Sequence, residues 1–522
     1  MENEEKNVFW GCIIVGIALV GGIIMAGCIS PPEEVPKQEL VVGMSTDVDN
    51  WYLDKFPYGD ARFVWSQVYE TLVRLDTDLK IQPGLAESWE TPDDGRTWVF
   101  NLRKGIKFHD GTPFNATAVV FSYSNISFVR KVTLRNVDHV EALDEYSVKF
   151  VSKQPIPVSH YITHVAWPIM SPTCVDEKGD FIKPIGTGPF KFEKQIKDQE
   201  VVLVRNDDYW GEEPTLEKII FKVIPEVGTR VMALETKEVD MIMKVPEFEV
   251  VRLEVEPNIE VYRKLTTFTD FLQFNCGKEP FNDTKVRKAV AYAVDTEKLV
   301  KTVLEDVGEP ANGRPLSPVM LYSKQDLKLY KHDPEETEEL LLEAGWKDTD
   351  GDGIVDKDGK PFKVSLLVER GAWTPPRFIP MSEAIQGALR NGGIDVEMQV
   401  LEPGAVIKLE SEGNFDMILR TGYFVWGSYP RHFFLHYSKC PYGHYKNEEY
   451  DRLVDLADST VDTEEQEKLY HELQDMVIEE VPAFYLVHEE KIVAANSYVK
   501  GYTITAEDPW LNLEGVCLEG KT

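Results

Sequence analysis

The chain has 522 residues, of which 43% are hydrophobic and 11% aromatic, a composition typical of folded and not of disordered proteins. This length exceeds one ordinary hydrophobic core, so we expect two or three subdomains. The formal net charge of −33 makes the chain strongly acidic. That charge argues against a protein that binds nucleic acids or anionic lipids, because both functions need basic surfaces.

The N-terminus predicts export and anchoring. Residues 8–29 contain no charged side chain and end in Met25-Ala26-Gly27-Cys28, where small residues precede a cysteine as at a lipoprotein processing site. We therefore predict a signal and anchor segment over 1–28, lipidation of Cys28, and a Pro-containing tether over 29–38. The acidic leading residues differ from the basic start of most signal peptides, which leaves an uncleaved signal anchor as the alternative. Both interpretations place the rest of the chain outside the cytoplasm.

The first half of the body predicts mixed secondary structure. The pattern predicts a strand over 40–44, a helix over 61–75, alternating strands over 97–102 and 146–151, and a hairpin from 190–192 and 201–204.

The pattern changes near residue 270 to an alternation of strands and helices. Asp283 and Asp333 are predicted helix caps, and Gly345 ends the second of these helices. A strand over 363–369, a helix over 380–391 and a strand over 395–401 form a predicted βαβ unit, and a last helix covers 463–480. This alternation predicts an α/β class with a partly parallel sheet.

Four cysteines of the body, Cys174, Cys276, Cys440 and Cys517, are scattered without a CxxC pair. This spacing excludes the common zinc and redox motifs. The sequence leaves open whether these residues form long-range disulfides or remain buried thiols.

An ordered series of motifs runs through the body: VYETLVR at 68–74, PGLAESW at 83–89, GRTWVFNLRKGIKFHDG at 95–111, IGTGPF at 185–190, VRNDDYW at 204–210 and FNDTKVRKAVAYAVD at 281–295. Together these motifs resemble solute-binding protein family 5 of ABC importers, the oligopeptide, dipeptide and nickel group. The resemblance implies a two-lobed periplasmic-binding-protein-like fold of class II with an inserted subdomain, its lobes joined by two crossing segments. It implies one lobe from 39–76, 185–268 and 492–522, an insert over 77–184, and a second lobe over 269–491.

The same resemblance implies a function. The chain is expected to be the extracytoplasmic, lipid-anchored binding component of an ABC importer, to capture a peptide or a nickel chelate in the cleft between its lobes, and to deliver it to permease and ATPase subunits. We expect a monomer that is not an enzyme and requires no cofactor. A peptide-binding chaperone or sensor with the same fold is the first alternative, and a secreted hydrolase is a remote third.

The identity of the solute depends on the segment near residues 416–434. The peptide-binding members of the resembled family anchor the peptide amine there with an acidic residue, but residues 422–434 contain no Asp or Glu, which argues against dipeptides. Arg420-Thr421, Trp426-Gly427 and His444 instead resemble the nickel-binding members, and imidazole is a suitable nickel ligand. His432, His436 and Cys440 lie close to His444 in sequence, but both histidines fit ordinary packing or solvent exposure slightly better.

Two sets of candidate side chains complete the predicted cleft. The nickel-binding members grip a chelator with an arginine that is missing near residues 167–172, so Arg130, Arg377, Arg420 and Arg431 are candidates for that role. Aromatic and basic side chains are predicted to line the solute: Trp51, Tyr52, Trp373, Arg420, Tyr423, Trp426, Tyr429 and Arg431.

Residues 348–359 have the spacing of a calcium-binding loop. Asp348, Asp350, Asp352 and Asp356 occupy loop positions one, three, five and nine, and Gly353 occupies position six. The glutamate expected at position twelve is replaced by glycine. Calcium bound here is expected to stabilise the loop, and a solvated acidic turn is the alternative.

Overall fold

One mixed sheet of eleven strands organises the part of the chain that the structure describes. The computed structural model describes residues 37–52, 59–93, 95–125, 136–163, 167–371, 374–422, 429–438, 440, 442–507 and 511–521. The strands follow one another across the sheet in the order β17 (Asp395–Leu401), β16 (Lys363–Glu369), β18 (Met417–Thr421), β12 (Ile259–Phe274), β19 (Ala483–Asn496), β11 (Met241–Met243), β1 (Glu39–Met44), β10 (Lys218–Val223), β9 (Glu200–Arg205) and β8 (Phe190–Ile196), with β13 (Glu309–Pro310) paired to β19.

Two long antiparallel strands, β12 and β19, join the two lobes of this α/β fold. Residues 259–265 of β12 pair with 490–496 of β19, beside the strands β1 and β8 to β11 of lobe one. The pairing then shifts register between Leu265 and Thr269. Beyond the shift, residues 270–274 of β12 also pair with β18, which leads to β16 and β17 of lobe two. The chain therefore crosses between the lobes at the irregular stretch. Fewer regular backbone hydrogen bonds link the two strands there, so the strands bend more easily at this point.

A separate antiparallel sheet lies within the predicted insert. Its strands follow the order β4 (Ala86–Glu90), β5 (Thr97–Leu102), β7 (Ser147–Ser152) and β6 (Val137–Asp144). Trp98 and Phe100 of β5 and Phe150 of β7 supply buried aromatic side chains. The remaining short strands form three pairs: β2 (Val73–Leu75) with β3 (Ile81–Pro83), β14 (Asp356–Lys357) with β15 (Lys360–Pro361), and β20 (Val499–Lys500) with β21 (Cys517–Leu518).

Two helices of lobe two begin at the residues that the sequence marks as caps. The Asp283 carboxylate accepts the backbone N–H of Lys285, and the Asp333 carboxylate accepts those of Glu335 and Glu336. The described helices are α1 (Ala61–Val68), α2 (Ala116–Asn125), α3 (Val158–Tyr161), α4 (Val227–Glu235), α5 (Glu247–Glu254), α6 (Thr284–Ala293), α7 (Thr296–Val303), α8 (Pro334–Glu343), α9 (Phe378–Asn391), α10 (Pro403–Ser411), α11 (Glu448–Ser459) and α12 (Thr463–Glu480). Two short 3-10 helices cover Pro172–Cys174 and Arg431–His436.

The predicted βαβ unit of lobe two is confirmed. Strand β16 pairs in parallel with β17, and α9 connects them over Phe378–Asn391. Apolar side chains of α9, including Phe378, Met381 and Ile385, pack into the same core as Leu272 and Leu366 of the sheet.

The predicted helix over 61–75 is wrong in its second half. Helix α1 ends at Val68, Tyr69 is extended, and Val73–Leu75 forms β2. The Val68 carbonyl accepts the backbone N–H of Gly188 at 3.0 Å. A Cβ atom on Gly186 would lie 2.0 Å from that same carbonyl oxygen. The turn at 185–190 therefore packs directly on the helix end, a long-range contact that local periodicity does not report.

Candidate functional site

Arg377 lies at the junction of the two lobes and contacts three carboxylates. It immediately precedes α9, and its side chain is 13% exposed. Its Nε donates to Asp270 Oδ2 at 2.7 Å, and its Nη2 donates to Asp270 Oδ1 at 3.1 Å. The Nη2 atom also lies 2.8 Å from Glu489 Oε1, and Nη1 lies 3.2 Å from Glu247 Oε1. We call Arg377, Asp270, Glu489 and Glu247 the junction cluster.

The junction cluster combines both crossing strands with one helix from each lobe. Asp270 lies on β12, Glu489 on β19 and Glu247 at the first position of α5. Thr421, at the end of β18, donates its hydroxyl to Glu489. The cluster therefore surrounds the place where the register of the crossing strands shifts.

Charge and burial oppose each other in this cluster. Three carboxylates face one guanidinium, so full ionisation would leave two uncompensated negative charges. Burial raises the pKa of Asp270 to about 7, although Arg377 acts in the opposite direction. Burial also lowers the pKa of Arg377, but the adjacent carboxylates outweigh that effect and hold its pKa well above the usual value. Near neutral pH the cluster thus keeps Arg377 charged and Asp270 close to its titration point.

Arg420, predicted to bind solute, is enclosed by two carboxylates. Its Nη1 lies 2.5 Å from Glu369 Oε1 and its Nη2 lies 2.5 Å from Glu410 Oε2. Arg420 and Glu410 are only 2% and 1% exposed. Gln273 also donates to Glu410, at 3.1 Å. The Arg420 guanidinium therefore already has charge compensation from two carboxylates of the protein itself.

The predicted aromatic residues have different positions. Trp51 is buried, donates its indole N–H to Gln195 at 2.8 Å and meets the Phe192 ring edge-on at 5.1 Å. Tyr52 is partly exposed, with its ring 5.4 Å from that of Phe181. Tyr52 therefore has the accessibility expected of a solute contact. Trp51 instead packs inside the protein, beneath the segment that carries both residues.

Tyr429 lies inside a buried group of tyrosines. Its ring centroid is 5.1 Å from that of Tyr161 and 5.7 Å from that of Tyr470. Gln466 donates to its hydroxyl at 3.0 Å. This environment gives Tyr429 a packing role between the insert and the helices α11 and α12.

His444 lies beside helix α10 and the end of β12. Its Nε2 is 3.4 Å from the Glu410 carbonyl oxygen, and the neighbouring Gly443 carbonyl accepts the N–H of Cys276 at 2.8 Å. Cys276 follows the end of β12 at Phe274, which is five residues beyond Thr269. At about 3.3 Å per residue the strand carries Phe274 roughly 13 Å from Asp270 of the junction cluster. The role of His444 as a ligand for a nickel chelate stays a prediction.

Several predicted residues cannot be placed. Cys28, Arg130, Trp373, Tyr423 and Trp426 lie outside the described residues. The side chains of Arg431 and His432 also lie outside the described atoms. His436 is buried, and its Nε2 lies 3.0 Å from the Tyr485 hydroxyl.

The acidic loop of lobe two brings three of its four predicted ligands together. One carboxylate oxygen each from Asp348, Asp350 and Asp356 lies within 4.8 Å of the others. Asp352 is outside this group and instead accepts the backbone N–H of Ile354 at 2.8 Å. Clustered carboxylate oxygens suit a hard cation such as calcium. Within the described part of the chain, this is the one such group of three acidic, histidine or cysteine residues.

No motif in the sequence marks Asp270, Glu489 and Glu247 as residues of a shared site. The available signal for Asp270 is its position directly before the apolar pair Phe271-Leu272, because a buried carboxylate needs a partner. Arg377 was considered only as a substitute grip for a chelator. None of the described helices has both the length and the hydrophobicity needed to cross a membrane.

Comparison with known proteins agrees with this architecture. Residues 80–444 match the model of the bacterial extracellular solute-binding proteins, family 5 Middle. The oligopeptide-binding protein AppA of Bacillus subtilis is 28% identical over 95% of this chain and 91% of its own length. The nickel-binding periplasmic protein of Escherichia coli is 30% identical over 73% of this chain and 74% of its own length.

Two solved structures show the same fold. NikA from Brucella suis, in complex with Fe(III)-EDTA, has a TM-score of 0.85 and 26% identity, covering 92% of this chain and all of that one. AppA from Bacillus subtilis, in complex with a nonapeptide, has a TM-score of 0.77 and 28% identity, covering 93% of this chain and all of that one. The match over most of the chain, together with the two lobes and their crossing strands, shows that this chain belongs to family 5 of the bacterial extracellular solute-binding proteins.

Proposed function

We propose that this protein captures a solute between its two lobes and delivers it to the permease of an ABC importer. The single observation that carries the proposal is the pair of crossing strands, β12 and β19, whose ladder is irregular between Leu265 and Thr269. A joint of this kind allows the lobes to close on a ligand and open again. We assign residues 39–76, 185–268 and 492–522 to lobe one, 77–184 to the insert and 269–491 to lobe two.

For the solute we favour a peptide held largely through its backbone. Arg420 is neutralised by Glu369 and Glu410, so it is a poor anchor for a free carboxylate. Partly exposed Tyr52 offers an aromatic surface for a side chain. The relative AppA, which binds a nonapeptide, extends over nearly the whole chain.

A metal chelate is the second candidate. The likeness to NikA, which holds Fe(III)-EDTA, and to the nickel-binding periplasmic protein favours it. The substitution His444→Ala tests whether this residue holds such a chelate.

A thermal-shift screen separates these candidates. The purified chain is heated with a library of peptides of two to ten residues, with nickel alone, and with nickel plus histidine. A ligand that binds only the folded chain raises the melting temperature. We expect peptides longer than dipeptides to do so. A response to nickel plus histidine without any response to peptides would favour the chelate.

We further propose that the protein acts as a monomer on the outer face of the membrane, attached through lipid on Cys28, and that it is a binding protein and not an enzyme. The sequence Met25-Ala26-Gly27-Cys28 supports the anchor. Cys28→Ala should release the protein or leave an unprocessed precursor, and Cys12→Ala is the matched control. Unchanged membrane attachment and mass would refute lipidation.

Two other outcomes would favour the alternative functions. Measurable peptide hydrolysis would favour the secreted hydrolase. Peptide binding that serves the cell without any permease would favour a chaperone or sensor.

A further inference from the structure

The pair formed by Glu247 and Arg377 joins elements that belong to different lobes. Glu247 begins α5, whose Val250 and Leu253 pack with Val231 and Ile492 in a lobe-one core. Arg377 precedes α9, which packs in the core of lobe two. Each helix is held by its own lobe, so the 3.2 Å contact from Arg377 Nη1 to Glu247 Oε1 exists only while the lobes are close together.

Arg377 is held in position by carboxylates on the crossing strands. Asp270 contacts it through two hydrogen bonds, and Glu489 contacts the same Nη2 atom. These two hydrogen bonds to a single carboxylate, whose side chain has no exposed surface, fix the plane of the guanidinium. The Nη1 atom is therefore presented towards lobe one, and only its contact with Glu247 must change when the lobes separate.

Because both side chains are mostly buried, this contact contributes more free energy than an ordinary surface ion pair. The side chains of Arg377 and Glu247 are 13% and 16% exposed. Exposed pairs are weakened by solvent and by the entropy of two flexible side chains. Here the arginine has lost most of its freedom before Glu247 approaches, so less entropy is lost when the contact forms.

We propose that Glu247 and Arg377 form a latch between the lobes that sets solute affinity by favouring the closed arrangement. A protein whose binding-competent arrangement is only partly populated binds with an affinity reduced by that population. Loss of the latch lowers the closed population and speeds solute release, although neither residue needs to touch the solute. The link to solute affinity rests on the proposed function, but the link to lobe closure does not.

The test compares two charge-neutralising substitutions on α5. Glu247→Gln removes the carboxylate charge at the latch. Glu249→Gln, two residues along the same helix, removes a carboxylate that pairs with Arg252 within α5 at 2.6 Å. Small-angle X-ray scattering of each unliganded chain reports lobe separation. Stopped-flow release of the best peptide from the screen reports kinetics, and a melting curve checks folding.

We expect Glu247→Gln to give a larger radius of gyration and solute release about three- to tenfold faster than the parent chain. Glu249→Gln should match the parent in both measurements. Arg377→Lys, which keeps the charge but loses the planar fork, should fall between the parent and Glu247→Gln. Equal scattering and equal release for Glu247→Gln and the parent would overturn the latch. If no tested solute binds the parent chain, the proposed function fails, whereas the scattering comparison still decides the latch.

Discussion

Arg420 and Glu410 form an ion pair in which both side chains are almost completely withdrawn from solvent. The pair connects β18 with α10, and Glu369 of β16 contacts the same guanidinium. Burial raises the pKa of Glu410, while Arg420 opposes that shift. A charged group in this environment is tolerated only because its partner is present.

Arg420→Ala should therefore destabilise the protein. The substitution leaves Glu410 and Glu369 without their cation, at an expected cost of about 3–5 kcal/mol in the free energy of unfolding. Urea titration measures the loss. Arg452→Ala is the control, because Arg452 pairs with Glu449 on the exposed surface of α11, and it should change stability little. Unchanged stability with loss of solute binding would instead place Arg420 in the solute site.

Asp270 should make stability depend on pH. Its pKa is raised from 3.8 to about 7, so between these values the folded chain retains a proton that the unfolded chain releases. The stabilisation is fully present below about pH 4 and is lost as the pH rises through 7. Asp270→Asn cannot ionise. Relative to the parent, its free energy of unfolding should therefore increase between pH 5 and pH 8 by about 3 kcal/mol.

The measurement is a pair of urea titrations at each pH. Asp395→Asn provides a comparison at an exposed ion pair with Arg390. A constant difference between Asp270→Asn and the parent across this pH range would show that Asp270 remains ionised in the folded protein.

His444→Ala should leave solute binding almost unchanged. The residue lies beside Cys276, two residues beyond the end of β12. We expect the dissociation constant for peptides, and for nickel with histidine, to change by less than about twofold. Isothermal titration checks this expectation. Loss of nickel binding alone would identify His444 as a chelate ligand.

Calcium should stabilise the loop between α8 and β16. Asp348, Asp350 and Asp356 already place carboxylate oxygens near one another, and their mutual repulsion is relieved by a divalent cation. We expect millimolar calcium to raise the melting temperature, and excess chelator to reverse the rise. Asp350→Asn should abolish it, while Asp352→Asn should weaken it less. No calcium response in the parent chain would identify the loop as a solvated turn.

Local features of the sequence predicted much of the fold. The caps Asp283 and Asp333, the βαβ unit over 363–401 and the last helix, α12, are all present in the structure. Each depends on residues close together in the chain, where periodicity and capping act directly. The end of α1 was missed because its cause, Gly188 bonding to Val68, lies more than a hundred residues away.

The sequence by itself determined the family, the α/β class and the order of most strands and helices, because short-range patterns and ordered motifs carry that information. Only the tertiary structure decided which charges meet. Arg377 contacts Asp270 across 107 positions and Glu247 across 130, and Arg420 contacts Glu369 across 51. Sheet pairing and lobe packing bring these residues together, and burial then strengthens their interaction.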